Sequence, residues 1–394
     1  MDNKISYLVG EEIKKISPLA PYNDEVCNFL SDLSSAIMKD SRYRDFPDVA
    51  TVAFFARSGN IKRLKKNFVD ENFRLGKGLA FHITPSNIPV QFIFSYFFGL
   101  LAGNANVVRI ASKNFPQTDF LCDAMNKVLS QPEHKKISEM TAFVRYERET
   151  DWTKIFSEKC QVRVIWGGDE TVQNIRKNPL PPKSIDIVFP DRYSLAILNE
   201  SSIENLTDAE LGKLAQNFYN DTYLVDQNAC SSPHLILWQS SESKLGRAKF
   251  WLAVHELVKV KYDLPPIKAT SKYTNFCQNA INFPEVGKLS REDNFLYRAD
   301  LKNIFAGIEK LRGIFGLFYE YDLNSLDDLK NIVTEKFQTL TYFGFTSKDL
   351  AEFVQENSWL GIDRIVPVGR SLDMMTVWDG YDLISQMSRI IYFE

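Results

Sequence analysis

Cys230 lies in the run Asp226-Gln227-Asn228-Ala229-Cys230-Ser231-Ser232-Pro233-His234, a polar, turn-prone stretch ahead of the apolar run Leu235-Ile236-Leu237-Trp238. Amides, hydroxyls and a proline make a poor core segment. A nucleophilic thiol, by contrast, needs a polar, partly open setting that stabilises its thiolate. The other cysteines, Cys27, Cys122, Cys160 and Cys277, are scattered without paired spacing, which predicts neither disulfides nor a metal centre. His234, four residues beyond the thiol, could deprotonate it or protonate a leaving group. A histidine that opens a strand is more often structural, and His82, inside an apolar strand, is expected to be a hydrogen-bonded core residue.

Gly167-Gly168 stands between a strand and a helix, where missing side chains let the backbone approach a dinucleotide and helix N–H groups face its phosphates. Two glycines at a strand end also make an ordinary turn. Asn87, between Pro85 and Pro89, reads from composition alone as a turn residue.

The elements that must position these residues alternate between strand and helix. Residues 79–83 predict a strand, 88–102 a buried helix and 106–110 the next strand, which is a βαβ unit. A helix carrying Phe120, Leu121, Ala124, Met125, Val128 and Leu129 follows, then strand 162–166, helix 169–177 and strand 185–189. A parallel, doubly wound sheet is the natural packing of this alternation. From about Tyr193 the pattern restarts. Thr207-Asp208-Ala209-Glu210 is a capping box whose helix shows Leu211, Leu214, Ala215 and Phe218 on one face. Strands are expected at 315–321 and 340–345, with a helix capped by Ser325-Leu326-Asp327-Asp328 between them. Two α/β domains result: residues 1–192, completed by 371–394, and residues 193–370 carrying the thiol.

At 394 residues, 44% hydrophobic and 25% charged, the chain is long enough for two sizeable cores. A net charge of −3 offers no footprint for nucleic acid. The apolar stretch 88–102 is interrupted by Gln91, Ser95 and Gly99 and falls short of the roughly 20 residues of a membrane span. Without an evident secretory leader, the scattered cysteines predict a reducing cytoplasm.

Several segments together resemble the aldehyde dehydrogenase superfamily, and within it the LuxC-type acyl-CoA reductases. His82-Ile83-Thr84-Pro85-Ser86-Asn87-Ile88-Pro89 is similar to the superfamily's proline-x-asparagine-x-proline segment, and Ala102-Gly103-Asn104 through Arg109 to its glycine-asparagine strand. Gln227 to Pro233 resembles the catalytic cysteine loop, and Ile314-Phe315-Gly316 the isoleucine-phenylalanine-glycine segment. The stretches 364–370 and 377–383 are closest to the reductase branch.

The resemblance implies an aldehyde dehydrogenase-like fold with a nucleotide-binding and a catalytic domain. It implies NADPH-dependent reduction of an acyl-CoA to the aldehyde through a thioester on Cys230. Asn87 and the backbone N–H of Cys230 would then donate to the oxyanion. Arg109 matches a position where relatives carry a lysine near the adenine ribose, and a guanidinium there could pair with the 2′-phosphate of NADPH. An acyl-protein synthetase partner and a homo-oligomer are further implications. Two departures matter. The stretch Val188-Phe189-Pro190-Asp191-Arg192 lacks the glutamate by which hydrolytic relatives activate water, and Gly313 replaces the glutamate before isoleucine-phenylalanine-glycine. A nucleotide-independent cysteine acyltransferase or thioesterase using Cys230 with His234 is the alternative.

Overall fold

The computed structural model of the protein describes residues 4–394. It divides into two compact units, one running to Pro190 and completed by Met374–Glu394, the other spanning Asp191–Asp373.

The first unit is built on six strands: β1 (Ser6–Gly10), β2 (Leu79–Ile83), β3 (Ala105–Arg109), β4 (Thr141–Arg145), β5 (Val162–Trp166) and β6 (Ile185–Phe189). Their order is β1-β4-β3-β2-β5-β6, with β2 to β6 all parallel and β1 antiparallel against β4. The chain winds outward from β2 in one direction and from β5 in the other. The strand order therefore reverses between β2 and β5, at the place where doubly wound sheets open a crevice beyond their carboxyl ends. All five residues of β2 are buried, as expected of a parallel strand covered on both faces.

Every residue of the Gln91–Leu101 helix is buried, Ser95 included. Ser95 joins a hydrogen-bonded chain through the core. The Trp166 indole donates to Ser95 Oγ (2.9 Å), which meets His82 Nδ1 (2.8 Å), while His82 Nε2 meets Asn106 Oδ1 (3.0 Å). An indole can only donate, so the directions are consistent with a neutral His82 protonated on Nε2. Burial pushes its pKa down to about 4. His82 is thus the hydrogen-bonded core residue its strand predicts.

The carboxyl-terminal segment is stitched into this unit. Ser388–Ile391 pairs antiparallel with Phe73–Gly76, Asn104 Nδ2 donates to the Met387 carbonyl (3.0 Å), and Arg74 donates to Ser385 O (3.2 Å).

The second unit has seven strands: β7 (Tyr193–Asn199), β8 (Pro233–Gln239), β9 (Val286–Glu292), β10 (Leu296–Leu301), β11 (Leu317–Leu323), β12 (Phe337–Phe343) and β13 (Arg364–Pro367). They lie in the order β9-β10-β11-β8-β7-β12-β13, and only the β9–β10 pair is antiparallel. Alternate residues of each strand feed two cores. Leu195, Leu235 and Tyr319 pack on one face, and Ala196, Ile236, Trp238 and Phe318 on the other. Both faces are covered, so this unit too is a doubly wound α/β fold.

Two expectations shift. The strand expected from 315 begins at Leu317, because Phe315 (φ 55°) and Gly316 (φ 87°) form a left-handed turn. The segment capped by Ser325 and Asp328 is a short 3₁₀ turn, Leu326–Asn331, rather than an α-helix.

Candidate active site

The thiol loop is delivered by a well-specified helix. Thr207 Oγ1 accepts from the Glu210 N–H and Glu210 Oε2 accepts from the Thr207 N–H (2.9 Å), closing the capping box of Asp208–Asp221. After Asp221 a 3₁₀ turn, Tyr223–Val225, leads into Asp226 (φ 55°) and Gln227 (φ 59°), two consecutive non-glycine residues in the left-handed region. Such residues are strained and persist only where their surroundings over-determine them.

The surroundings here are specific. Gln227 is 2% exposed; its Oε1 accepts from the Gly316 N–H (2.7 Å) and its Nε2 donates to Leu317 O (3.1 Å). Asp226 Oδ1 accepts from Tyr262 Oη (2.5 Å) and Lys268 Nζ (2.9 Å). Ser232 Oγ donates to Asp221 O (2.7 Å), and Ser194 Oγ, on β7, donates to the Cys230 carbonyl (2.6 Å). Cys230 is half-buried in the middle of this scaffold, at the amino end of β8. It is therefore at the opposite edge of its sheet from the carboxyl-end crevice of the usual α/β site.

Three of the other cysteines sit where burial disfavours the thiolate. Burial pushes the Cys122 and Cys160 thiols up to about 12, and it raises that of Cys27, whose Sγ donates to Tyr22 O. Cys277 lies within the Pro266–Asn282 helix. None of the five is disulfide-bonded.

His234 is 3% exposed, stacks on Tyr193 at 5.5 Å, and donates from Nδ1 to the Gly313 carbonyl (3.0 Å). Burial first, and then the Arg312 charge, pushes its pKa down to about 3. An imidazole of that basicity is neutral at physiological pH and is a weak proton acceptor. Gly313 itself admits no side chain, since a Cβ there would stand 1.8 Å from Leu317 O. Asp191, the carboxylate of the other departing stretch, is ion-paired with Arg312 (2.9 Å).

The remaining candidates belong to the first unit and gather at the carboxyl ends of its parallel strands. Asn87 is exposed in the turn between β2 and the Gln91–Leu101 helix. Gly167 and Gly168 follow β5, the strand across the topological reversal, and a Cβ on Gly168 would meet nothing within 4 Å. Asp169 and Glu170 occupy the first turn of the next helix and compensate its dipole themselves. Arg109 ends β3; its Nη2 donates to Tyr146 O (3.4 Å), its guanidinium lies 4.9 Å from the Tyr146 ring centroid, and its Nε is buried without a hydrogen-bond partner. Desolvation lowers its pKa. Among the described residues no cluster of three or more His, Cys, Asp or Glu side chains is arranged to hold a metal, and no helix is long and apolar enough to cross a membrane.

Residues 13–288 match the family profile described as acyl-CoA reductase (LuxC). The chain belongs to the LuxC acyl-CoA reductase family. A curated relative, the long-chain acyl-protein thioester reductase of Vibrio harveyi, is 22% identical over 324 residues, covering 80% of this chain and 64% of its own length. The chain thus spans less than two thirds of that relative. Solved structures with the same fold include an aldehyde dehydrogenase from Physcomitrella patens in complex with succinate (11% identity, TM-score 0.67, 93% of this chain and 85% of that one). An oxidoreductase from Marinobacter aquaeolei gives 13% identity and a TM-score of 0.66 over 97% and 88% of the two chains. A Thermus 1-pyrroline-5-carboxylate dehydrogenase with bound NAD gives 13% and 0.63 over 94% and 81%. These likenesses establish an aldehyde dehydrogenase-like fold for this LuxC-family chain.

The bonds of Asp226, Gln227 and Lys268 that hold the loop, and the burial of Lys272 behind Phe315, were not singled out from the sequence. Lys268 and Lys272, four apart behind Pro265-Pro266, read as a solvated helix face, so the sequence carries no signal that Lys272 is buried.

Proposed function

We propose that the protein reduces a long-chain acyl thioester, an acyl-CoA or its protein-bound equivalent, to the aldehyde through an acyl-cysteine on Cys230. The observation that carries this reading is the half-buried Cys230 in a loop fixed on four sides, in a chain of the LuxC family. The Cys230 thiolate attacks the thioester carbonyl; the new C–Sγ bond forms as the carbon–sulfur bond to the coenzyme breaks, and the released thiolate takes its proton from water. The Cys230 N–H, with Asn87 as the side-chain donor, is proposed to stabilise the oxyanion. A nicotinamide cofactor, NADPH in this reading, would supply the hydride that converts the acyl-cysteine to a thiohemiacetal. Collapse of that adduct breaks the C–Sγ bond, releases the aldehyde and returns the thiol.

In this reading the first unit holds the cofactor. Gly167, Gly168 and Arg109 are the residues assigned to it: the open space at Gly168 leaves the backbone approachable, and Arg109 ends β3 with only a long Nη2 bond to Tyr146 O (3.4 Å). The second unit carries the thioester chemistry. Asp191 is tied to Arg312, and burial makes His234 a weak base whose Nδ1 is already committed to the Gly313 carbonyl, so in this reading neither activates water and the acyl-enzyme should survive until it is reduced.

The test is NADPH oxidation with acyl-CoA esters from two to sixteen carbons, beside mass-spectrometric detection of the acyl adduct. Wild-type protein should carry the acyl group on the Cys230 peptide, for minutes when NADPH is withheld, and Cys230→Ala should lose both adduct and aldehyde. An adduct that persists on Cys230→Ala protein overturns the assignment.

A further inference from the structure

The Pro266–Asn282 helix buries a lysine completely. Lys272 is 0% exposed, yet its Nζ donates to the carbonyls of Asn294 (2.5 Å) and Phe315 (2.9 Å) and lies 4.6 Å from the Tyr297 ring centroid. Removing an ammonium from water is costly, and backbone carbonyls return only part of that cost. Burial accordingly pushes its pKa down to about 7, against the field of Asp293. A leucine or methionine would fill the space without that penalty, so the contacts themselves need explaining.

One of them lands on the segment to which the thiol loop is tied. Phe315 and Gly316 form the left-handed turn; the Gly316 N–H donates to Gln227 Oε1, and the Phe315 N–H faces the Asp226 carbonyl at 3.5 Å. Two left-handed turns, one on each segment, thus hold each other. One helical turn earlier on the same helix, Lys268 reaches the Asp226 carboxylate. The helix therefore grips both halves of the contact, the Phe315 side through Lys272 and the Asp226 side through Lys268.

We propose that Lys272 is a positioning residue for Cys230: by holding the Phe315 carbonyl it fixes the left-handed turn against which Gln227 sets the thiol loop. This rests on the reading of Cys230 as the nucleophile. Misplacement of a reacting atom by about an ångström costs up to about a hundredfold in rate, so the effect should fall on turnover more than on substrate binding.

The experiment compares wild-type protein with Lys272→Met by amide hydrogen exchange and steady-state kinetics. Loss of the contact should speed exchange about tenfold or more at 226–232 and 315–317 while leaving the first unit's core strands unchanged. It should lower kcat at least about tenfold with KM for acyl-CoA within about threefold. Should the methionine variant fail to fold, Lys272→Gln, whose side chain is one bond shorter than the lysine and cannot hold both carbonyls as Nζ does, is read the same way. Wild-type exchange rates in those two segments, or unchanged kcat, would overturn the proposal. If wild-type protein forms no acyl adduct at Cys230, the functional reading fails by itself, while the exchange comparison still decides whether Lys272 fixes the loop.

Discussion

Substituting His234 by asparagine separates a reductase from a hydrolase or acyltransferase that would use a Cys230–His234 pair. The asparagine Nδ2 lies close to where the histidine Nδ1 stood, so the bond to the Gly313 carbonyl survives while the imidazole is lost. A pKa of about 3 leaves only about one ring in ten thousand protonated at pH 7, too few for a working general acid. General acid–base groups contribute about a hundredfold to ten-thousandfold to rate. If His234 is structural, His234→Asn should keep kcat/KM within about threefold between pH 6 and 8. The lost stacking on Tyr193 should cost about 1–2 kcal/mol of stability. Both are measurable on one preparation, by aldehyde formation across pH and by urea titration. A fall of a hundredfold or more in kcat/KM, with an unchanged unfolding midpoint, would refute the structural assignment and make His234 an acid–base group of the reaction; release of free acid that the substitution abolishes would favour the hydrolase.

Arg109→Ala should weaken NADPH binding by about ten- to a hundredfold and leave NADH nearly untouched, since a charge-assisted contact to a 2′-phosphate is worth about 1.5–3 kcal/mol; equal losses by fluorescence titration would remove Arg109 from that role. Gln227→Leu strands the Gly316 N–H and weakens the hold on Leu317 O, which should cost about 2–4 kcal/mol and lower the melting temperature by roughly 5–15 °C; a midpoint within 1 °C of wild type would show that the loop is held by other contacts. Acid should destabilise the fold through His82 and His234. Their folded pKa values, about 4 and about 3, lie below the ordinary 6.5, so the unfolded chain takes up protons first and stability falls as pH drops from 6.5 toward 3. Asp221 works the other way: burial raises its pKa from 3.8 to about 6, so its contribution is present below pH 3.8 and lost as pH rises through 6. Denaturant midpoints from pH 7 to 4 should therefore decline, and more gently in His234→Asn; a midpoint that does not decline would contradict the buried, neutral state of both rings.

The parallel strands were legible because burial makes them short, mostly apolar runs: β2, β5 and β6 begin and end where those runs do, each broken by one polar residue, His82, Arg163 and Asp186. The capping box at Thr207 was legible because its signature is local. Less visible were β1, β4 and the β9–β10 hairpin. Strand β9 is largely exposed and reads Val-Gly-Lys-Leu-Ser-Arg-Glu, so neither alternation nor an apolar run announces it. The amphipathic Asp24–Lys39 helix likewise went unread among polar neighbours. In the site, Cys230 stood out because a thiol in polar sequence is unusual. What holds it did not. Gln227 and Lys272 act through backbone groups of Gly316, Leu317, Asn294 and Phe315, partners 22 to 90 residues away, and no side-chain pattern records a bond whose other end is a peptide group.

The first unit is discontinuous: Met374–Glu394 returns to it after the whole of the second has been spelled out. On the ribosome this reverses the expected sequence of maturation. The Phe73–Gly76 strand and the Asn104 amide must wait for Ser388–Ile391 and Met387, which follow Pro190 only after the 183 residues of Asp191–Asp373 and the start of the tail, whereas Asp191–Asp373 holds all seven of its strands before that tail appears. At about 5–20 residues per second the wait is on the order of ten to forty seconds. For that interval the amino-terminal half is a nascent unit without its closing ribbon, and the inserted unit can mature first. A stop codon between Asp373 and Met387 would spare the thiol loop and leave the amino-terminal unit without its closing ribbon.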